Sequence, residues 1–261
     1  MTFLMDSTNG KTSLILLLKV INLFFSIIIP TYNEMNNHYF KQTLDNFLSY
    51  PSKEVEIIIV DSSSSDGTKC LLGKYPYRVI QTHEKSRAAR LNIGVSVARG
   101  QFTLLHHPRS ILNKSALDIC RSQLDFNASY CWGGFTLKHD HPHKFLRFVS
   151  WYSNEVRVRR KKIVYLDHCI FISLDLAKKV FPIKDVEIFE DTIISEKLAT
   201  FSDPILIKSQ SLTSSIRFNT RGVLKQFFLN QFLKLLFKCG FSDRFMNKIY
   251  ESNCHLNVTN L

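Results

Sequence analysis

Two groups of polar side chains stand directly after short, strongly apolar runs of the sequence. Pro30–Glu34 (PTYNE) follows FSIII, and Asp61 follows EIIIV. A carboxylate at such a position can accept a hydrogen bond from the imino N–H of a nucleobase, and an aromatic ring can stack on the base. Each motif alone is also consistent with a turn. The two together predict a nucleotide site at one edge of a sheet.

Glu190 and Asp191 form a pair of adjacent carboxylates ahead of the apolar segment TIIS. A carboxylate aimed at a hydroxyl group can act as a general base. The alternative interpretation is that both residues cap a helix that starts near Thr192. Both interpretations remain open at this point.

The elements that must position these groups follow an alternation of short apolar runs and helical patterns. That order predicts an α/β sheet with its polar groups at the carboxyl ends of the strands. The predicted strands are Phe25–Pro30, Glu56–Asp61, Tyr77–Gln81 and Gln101–His106, with an extended segment over Val164–Leu174. The predicted helices are Asn37–Tyr50, Ser86–Ala98, Lys114–Leu124, Thr192–Ala199 and Gly222–Gly240, and a turn is predicted at Gly133-Gly134.

The helix predicted over Gly222–Gly240 is amphipathic. Its large apolar residues lie on one side and its lysines elsewhere. Packing against the rest of the chain and lying on a membrane surface are both compatible with this pattern. The apolar residues are Leu224, Phe228, Phe232, Leu235 and Leu236.

The segment Leu14–Ile29 is also apolar, although Lys19 and Asn22 interrupt it. If its last residues form a buried strand, about ten residues remain, too few to cross a hydrocarbon core of roughly 30 Å. We therefore expect residues 1–23 to form an N-terminal apolar extension, either an extra helix or a shallow interfacial anchor.

The composition sets limits on partners and compartment. The 261 residues are 45% hydrophobic, and 34 Lys plus Arg against 22 Asp plus Glu give a net charge of +12. A basic surface suits nucleic acid, anionic lipid or phosphorylated substrates. No helix-turn-helix, RRM or zinc-finger spacing is evident, so nucleic acid is not expected. The six cysteines contain no CxxC pair, which favours reduced thiols and a cytoplasmic location.

Four segments occur in an order that resembles family 2 glycosyltransferases with the GT-A fold: SIIIPTYNE, EIIIVDSSSSDGT, SRAARLNIGVSVARG and FEDTIIS. SRAA, GGF and RGVL further resemble the bacterial selenodomain-associated transferases. The resemblance implies a Rossmann-like α/β domain over residues 24–220, with a mixed, mostly parallel sheet flanked by helices. Residues 221–261 would form a C-terminal amphipathic helical extension.

The resemblance also implies roles for individual residues in moving a sugar from a nucleotide-sugar donor to an acceptor hydroxyl with inversion. Asp191, paired with Glu190, matches the base that removes the acceptor proton. The remaining matches are substrate-binding: Asp61 reads the nucleobase, the loop of Pro30, Thr31, Tyr32 and Glu34 approaches it, Arg87 and Asn92 lie near the base and diphosphate, and Asp167 lies on the acceptor side. The resemblance leaves the acceptor unknown; the basic surface is compatible with a lipid-linked or phosphorylated acceptor and with peripheral contact to the cytosolic face of a membrane.

One departure from the family pattern concerns the metal. The family usually presents a carboxylate that holds Mg²⁺ or Mn²⁺ on the diphosphate, and this chain has Pro108 at that place, within LHHPRS. Three explanations are open. His106 or His107 holds a transition metal; Arg109 with Arg87 neutralises the diphosphate directly; or the protein is a noncatalytic relative.

Overall fold

The structure is a computed structural model that describes residues 23–124 and 130–252. Apart from Leu23, the extension predicted for residues 1–23 lies outside the described residues, as do the last residues of the predicted C-terminal extension.

Eight strands form a single mixed sheet, which confirms the predicted α/β class. The strand order is β3-β2-β1-β4-β7-β6-β8-β5. The pairs β1–β2, β1–β4, β2–β3 and β6–β8 are parallel, and β4–β7, β6–β7 and β5–β8 are antiparallel. The strands are β1 (Phe25–Thr31), β2 (Val55–Asp61), β3 (Arg78–Gln81), β4 (Phe102–Leu105), β5 (Ser110–Leu112), β6 (Trp132–His139), β7 (Ile170–Ser173) and β8 (Ile205–Thr213).

Helices flank the sheet, and most predicted helices agree with them to within a few residues. They are α1 (His38–Phe47), α2 (Thr68–Leu72), α3 (Arg87–Ser96), α4 (Ala116–Gln123), α5 (Lys144–Tyr152), α6 (Leu174–Val180), α7 (Glu190–Ala199), α8 (Ile216–Arg221), α9 (Val223–Lys238) and α10 (Asp243–Glu251). A π-helical turn, Ser153–Val158, continues α5, and a 3₁₀ turn, Leu166–His168, precedes β7. The latter corrects the prediction that Val164–Leu174 is extended throughout.

The register of β1 and β2 brings the two polar strand ends together. Every residue of β1 is buried, as expected for a parallel strand covered on both faces. Thr31 pairs with Asp61 at the last position of the two strands. The helices that follow begin at side-chain caps: Asn37 accepts from the Tyr39 N–H and Ser86 from the Ala89 N–H.

The prediction of a turn at Gly133-Gly134 was wrong. Both glycines lie inside β6. A Cβ on Gly133 would stand 1.9 Å from the Ile205 carbonyl oxygen, and one on Gly134 would stand 2.7 Å from Val164. These glycines therefore allow close approach of neighbouring chain segments, which is the other common reason for glycine in a strand.

The C-terminal helices α9 and α10 pack on the domain through a small apolar cluster of Ile188, Leu233, Leu236 and Met246. The face predicted to be apolar is divided by this packing. Leu236 is buried, whereas four other residues are 49% to 66% exposed: Leu224, Phe228, Phe232 and Leu235. None of the described helices is both long and apolar enough to cross a bilayer.

Candidate active site

Asp61 lies at the end of β2 and is fully buried. Its Oδ1 accepts hydrogen bonds from the Thr31 hydroxyl (3.0 Å) and the Ser64 hydroxyl (2.6 Å), and its Oδ2 accepts from the Ser64 N–H (3.0 Å). These bonds fix the carboxylate beside the loop that follows β1.

Arg90 is a buried residue that sequence reasoning missed. Its Nη1 donates to the Thr31 carbonyl oxygen (2.6 Å) and its Nε donates to the Ser86 carbonyl oxygen (3.2 Å). Burial lowers the pKa of Arg90 to about 10, and the Arg87 guanidinium adds to this decrease. Arg90 thus joins the end of β1 to the start of α3, the helix that carries Arg87. The sequence signal for Arg90 was its spacing of three residues from Arg87, which places both residues on the same side of a helix.

A cavity of about 60 Å³, here called the small cleft, opens beside this loop. Pro30, Tyr32, Arg87 and Pro108 contribute to its walls. Helix α10 contributes three more residues: Asn247, Tyr250 and Glu251. Ligand pockets usually measure about 300–1,000 Å³. With α10 in this position, the small cleft is therefore too small for a whole nucleotide.

His106 and His107 point in different directions, as expected for neighbours on an extended segment. His106 is fully buried, edge-on to the Phe47 ring at 5.2 Å, and neither ring nitrogen has a well-aligned hydrogen-bond partner among the described residues. Burial lowers the pKa of His106 to about 3, so this ring is neutral.

His107 instead faces the two arginines that the sequence singled out. Its Nε2 lies 3.1 Å from Arg87 Nη1, and its Nδ1 accepts from the Arg109 N–H at 3.0 Å. Burial lowers the pKa of His107 well below its usual range, and the cations Arg87 and Arg109 lower it further. The imidazole is therefore neutral.

The residues after β4 do not fit a divalent cation. His106 is turned into the core, and Pro108 has no side-chain donor. In the described part of the chain, the one carboxylate within 4 Å of a His107 ring nitrogen is that of Asp167, with Oδ1 3.9 Å from Nδ1. Nowhere among the described residues do three His, Cys, Asp or Glu side chains come together as a metal-binding group. The Arg87 guanidinium adjoins this segment instead, and the positive charge of Arg109, within the segment, also acts on His107.

Each of these arginines is paired with a buried glutamate. Arg87 Nε donates to Glu190 Oε1. Arg109 Nε lies 3.6 Å from Glu34 Oε2, which also accepts from the Asn37 amide. Burial raises the pKa of Glu34, and Arg109 opposes that increase. Glu190 thus holds Arg87 in place, while its second oxygen, Oε2, is buried without a described partner.

Asp191 lies in the first turn of α7. The helix starts at Glu190 and its N-cap is Phe189, which makes no side-chain capping bond. The capping interpretation of the two carboxylates is therefore wrong, because the helix begins two residues earlier than predicted. Asp191 Oδ2 accepts from the Leu166 N–H at 3.2 Å. Burial and then Glu190 raise the pKa of Asp191 to about 7, against the effect of Arg87.

A cavity of about 500 Å³, here called the large cavity, adjoins the small cleft. Both are lined by Arg87, His107, Ile188 and Tyr250. The large cavity also contains two of the predicted site carboxylates, Asp167 and Asp191. Asp167 is 42% exposed, and its Oδ1 accepts from the Thr213 hydroxyl at 3.0 Å.

Asn92 does not line either cavity. Its amide nitrogen donates to the Ile183 carbonyl oxygen (3.0 Å), and its amide oxygen accepts from the Ile183 N–H (2.9 Å). Both polar atoms of Asn92 are therefore engaged in tying α3 to the segment before α7. Nothing in this geometry supports the prediction that Asn92 contacts a nucleotide.

Helix α10 is held over the cavities by two arginines near the end of β8. Arg217 forms an ion pair with Glu251 (2.7 Å) and lies 4.1 Å above the Tyr250 ring. Arg221 donates to the Tyr250 carbonyl oxygen at 2.6 Å. Arg217 and Arg221 thus anchor the helix that covers the small cleft.

Comparison with known proteins places this arrangement in a family. Residues 26–174 match the sequence model of glycosyl transferase family 2, and the chain belongs to that family. Over 109 residues it is 27% identical to the poly(ribitol-phosphate) beta-N-acetylglucosaminyltransferase TarS of Staphylococcus aureus, covering 39% of this chain and 19% of the relative. It is 32% identical over 85 residues to an uncharacterised glycosyltransferase of Rickettsia typhi, covering 31% and 26%. The chain thus spans about a fifth to a quarter of these relatives.

Solved structures confirm the predicted GT-A fold. TarS residues 1–349 in complex with UDP-GlcNAc superpose with a TM-score of 0.61 at 17% identity, covering 74% of this chain and 59% of that one. A Pyrobaculum calidifontis mannosyltransferase in complex with GDP-Man and Mn²⁺ gives 0.56 at 16% identity, covering 88% and 70%. The narrower resemblance to selenodomain-associated transferases stays a prediction.

Proposed function

We propose that this protein transfers a sugar from a nucleotide-sugar donor to an acceptor hydroxyl with inversion, and that Asp191 is the general base. The observation that carries the proposal is the carboxylate of Asp191 in the large cavity, with its pKa raised to about 7, in the same cavity as Arg87. Family membership and the UDP-GlcNAc and GDP-Man bound to the structural neighbours support a nucleotide-sugar donor.

In the proposed reaction, an unprotonated Asp191 removes the proton of the acceptor hydroxyl. The acceptor oxygen then forms a bond to the anomeric carbon from the face opposite the nucleotide. The bond between that carbon and the diphosphate oxygen breaks, and the nucleoside diphosphate leaves with the electron pair. A base with a pKa near the working pH is suited to this step.

The donor would lie along the small cleft, with α10 displaced. Asp61 and the loop of Pro30, Thr31, Tyr32 and Glu34 would hold the nucleobase and ribose. Arg87 and Arg109 would neutralise the leaving diphosphate, because a guanidinium fork can bind two phosphate oxygens. Asp167, in the large cavity, would accept from a hydroxyl of the sugar or the acceptor.

The test is calorimetric titration with UDP-, GDP- and CMP-sugars, each with Mn²⁺, Mg²⁺ or EDTA. We expect binding that survives EDTA and is lost in Asp61→Ala, with Asp175→Ala as an exposed control. Nuclear magnetic resonance of the product anomer then tests inversion. Absence of nucleotide binding under every condition would favour the noncatalytic alternative.

We also propose that the exposed face of α9 contacts an anionic membrane surface, which would make residues 221–252 a docking extension. Phe228 and Phe232 are exposed on α9, and Phe148 and Trp151 are exposed on α5. Phe145 of α5 packs on Phe227 of α9 at 5.0 Å, so the two helices are neighbours. Apolar residues beside basic ones suit an anionic bilayer.

Co-sedimentation with phosphatidylserine-containing liposomes tests this docking. We expect a decrease of at least tenfold in bound protein for the double variant Phe228→Ser, Phe232→Ser. Phe201→Ser, which removes an exposed aromatic elsewhere, is the matched control. Equal sedimentation of all three proteins would contradict the proposal.

A further inference from the structure

Two cations in the large cavity converge on one aromatic ring. Arg157, from the π-helical turn after α5, lies with its Cζ 4.4 Å from the centre of the Tyr165 ring, and Lys234, from α9, lies with its Nζ 5.6 Å from the same centre. Both line the cavity that contains Asp191. Three separate segments of the chain thus build one positively charged corner.

These two cations differ from the other three in the cavity. Arg87, Arg109 and Arg217 are each paired with a glutamate that lies outside the cavity lining. Within residues 23–124 and 130–252, neither Arg157 nor Lys234 forms an ion pair; Arg157 donates to the Ser153 hydroxyl at 3.2 Å. Two partly buried basic groups without an ion-pair partner disfavour each other's charged form, and a bound anion would favour it.

We propose that Arg157 and Lys234 bind a phosphate group carried by the acceptor and so present the acceptor hydroxyl to Asp191. This inference rests on the proposed function and adds the class of acceptor. A guanidinium fork and an ammonium group together match the charge of a phosphate monoester. The aromatic lining, Phe148, Tyr152, Tyr165 and Phe227, would hold the apolar or ring-shaped remainder of the acceptor.

The ionisation of Lys234 provides a specific readout. Burial lowers the pKa of Lys234 to about 7; Arg157 and Lys161 lower it further and Asp191 opposes them. An incoming anion favours the charged ammonium, so Lys234 takes up a proton when phosphate binds at pH 8. An arginine in its place is always charged, so in that variant proton uptake is left only to other groups such as Asp191.

The experiment is calorimetry at pH 8 in two buffers of different ionisation enthalpy. The probes are glycerol 3-phosphate and farnesyl phosphate, with glycerol and farnesol as their phosphate-free controls. We expect wild-type protein to bind at least one phosphate probe with proton uptake, and neither control compound. Preference for one probe identifies a water-soluble or a lipid source of the phosphate.

Four variants complete the test. Lys234→Gln and Arg157→Gln are expected to lose at least tenfold in affinity, whereas Lys225→Gln, exposed on the same helix, loses none. Lys234→Arg is expected to retain binding with less proton uptake than the wild type, and this comparison does not depend on the folding of a variant that has lost a charge. Phosphate binding that is absent, or unchanged in Lys234→Gln and Arg157→Gln, would overturn the inference.

Titration of the same proteins with nucleotide sugars separates the two proposals. If nucleotide sugars bind and the phosphate probes do not, only the acceptor class is wrong. If the phosphate probes bind through Lys234 and no nucleotide sugar binds, the proposed transferase activity is wrong while the anion site stands.

Discussion

The small cleft and the large cavity differ in how their charges are compensated. On the side of the small cleft, Arg87 is paired with Glu190. Asp61 pairs with Thr31, next to the cleft-lining Tyr32, and already accepts three hydrogen bonds. In the large cavity, Arg157 and Lys234 have no described ion-pair partner, and Asp191 has a raised pKa. The charged groups of the first region are paired within the protein, whereas the second region contains ionisable groups whose protonation a bound ligand can change.

The small cleft and the large cavity also differ in volume. The small cleft measures about 60 Å³ with α10 over it, and the large cavity about 500 Å³. Preorganised groups lower the cost of holding a ligand, but they cannot act until the cleft opens. Under the proposed function, the small cleft would bind the nucleotide, the large cavity would hold the reacting groups, and α10 would control access to the small cleft.

The largest expected effect is a loss of turnover when Asp191, in the large cavity, is replaced. Asp191→Asn should lower kcat by roughly 10²–10⁴-fold, because the general base is lost, with nucleotide affinity little changed. In the wild type, kcat should rise with pH through the pKa of Asp191, about 7. Turnover assays across pH check both, with Asp175→Asn as the control. Wild-type turnover in Asp191→Asn would place the base elsewhere.

The next effect concerns the small cleft. Arg87→Met should weaken nucleotide-sugar binding roughly 10–100-fold, in line with the loss of a charge-assisted hydrogen bond of about 1.5–3 kcal/mol. It should also destabilise the fold, because Glu190 stays buried without its counter-ion. Calorimetry and thermal melts measure the two effects.

Arg159→Met is the matched control for Arg87→Met, since it removes an ion pair with Glu155 in which both side chains are exposed. Such pairs contribute only about 0–1 kcal/mol. If both variants had the same nucleotide affinity as the wild type, the assignment of Arg87 to the diphosphate would fail.

A smaller effect tests access. Glu251→Gln removes the ion pair with Arg217 that helps to hold α10. If the closed position competes with the nucleotide, affinity should rise about two- to fivefold, since a weaker closed state shifts the population towards the open one. Lys248→Gln on the same helix is the control. A loss of affinity would instead mean that α10 contributes contacts to the bound nucleotide.

The smallest effect is on stability. The raised pKa of Asp191 means that its contribution to folding is present below the ordinary aspartate pKa and is lost as the pH rises towards 7. Asp191→Asn should therefore melt a few degrees above the wild type at pH 8, given that about 1 kcal/mol corresponds to roughly 2–4 °C. The difference should vanish near pH 4. Equal melting temperatures of the wild type and Asp191→Asn at pH 8 would mean that burial does not destabilise the ionised Asp191 carboxylate.

The sequence by itself determined the first half of the fold. The buried strands β1 and β2 end in Thr31 and Asp61. The helical spacing of apolar residues and the N-cap residues indicate α1 and α3. These signals are local, because a buried parallel strand is an apolar run and a helix start needs a side-chain cap. The match to the family model, residues 26–174, includes this region.

Only the tertiary structure decided the rest. In the structure, Gly133 lies inside a strand, and Arg217 forms an ion pair with Glu251. His106 lies in the core, whereas His107 contacts Arg87. The structure also brings Arg157 and Lys234 to the same ring from positions far apart in the chain. Local sequence patterns carry no information about contacts between residues that are far apart in the chain. Burial and the charges of such neighbours determine the pKa values and the ion pairs.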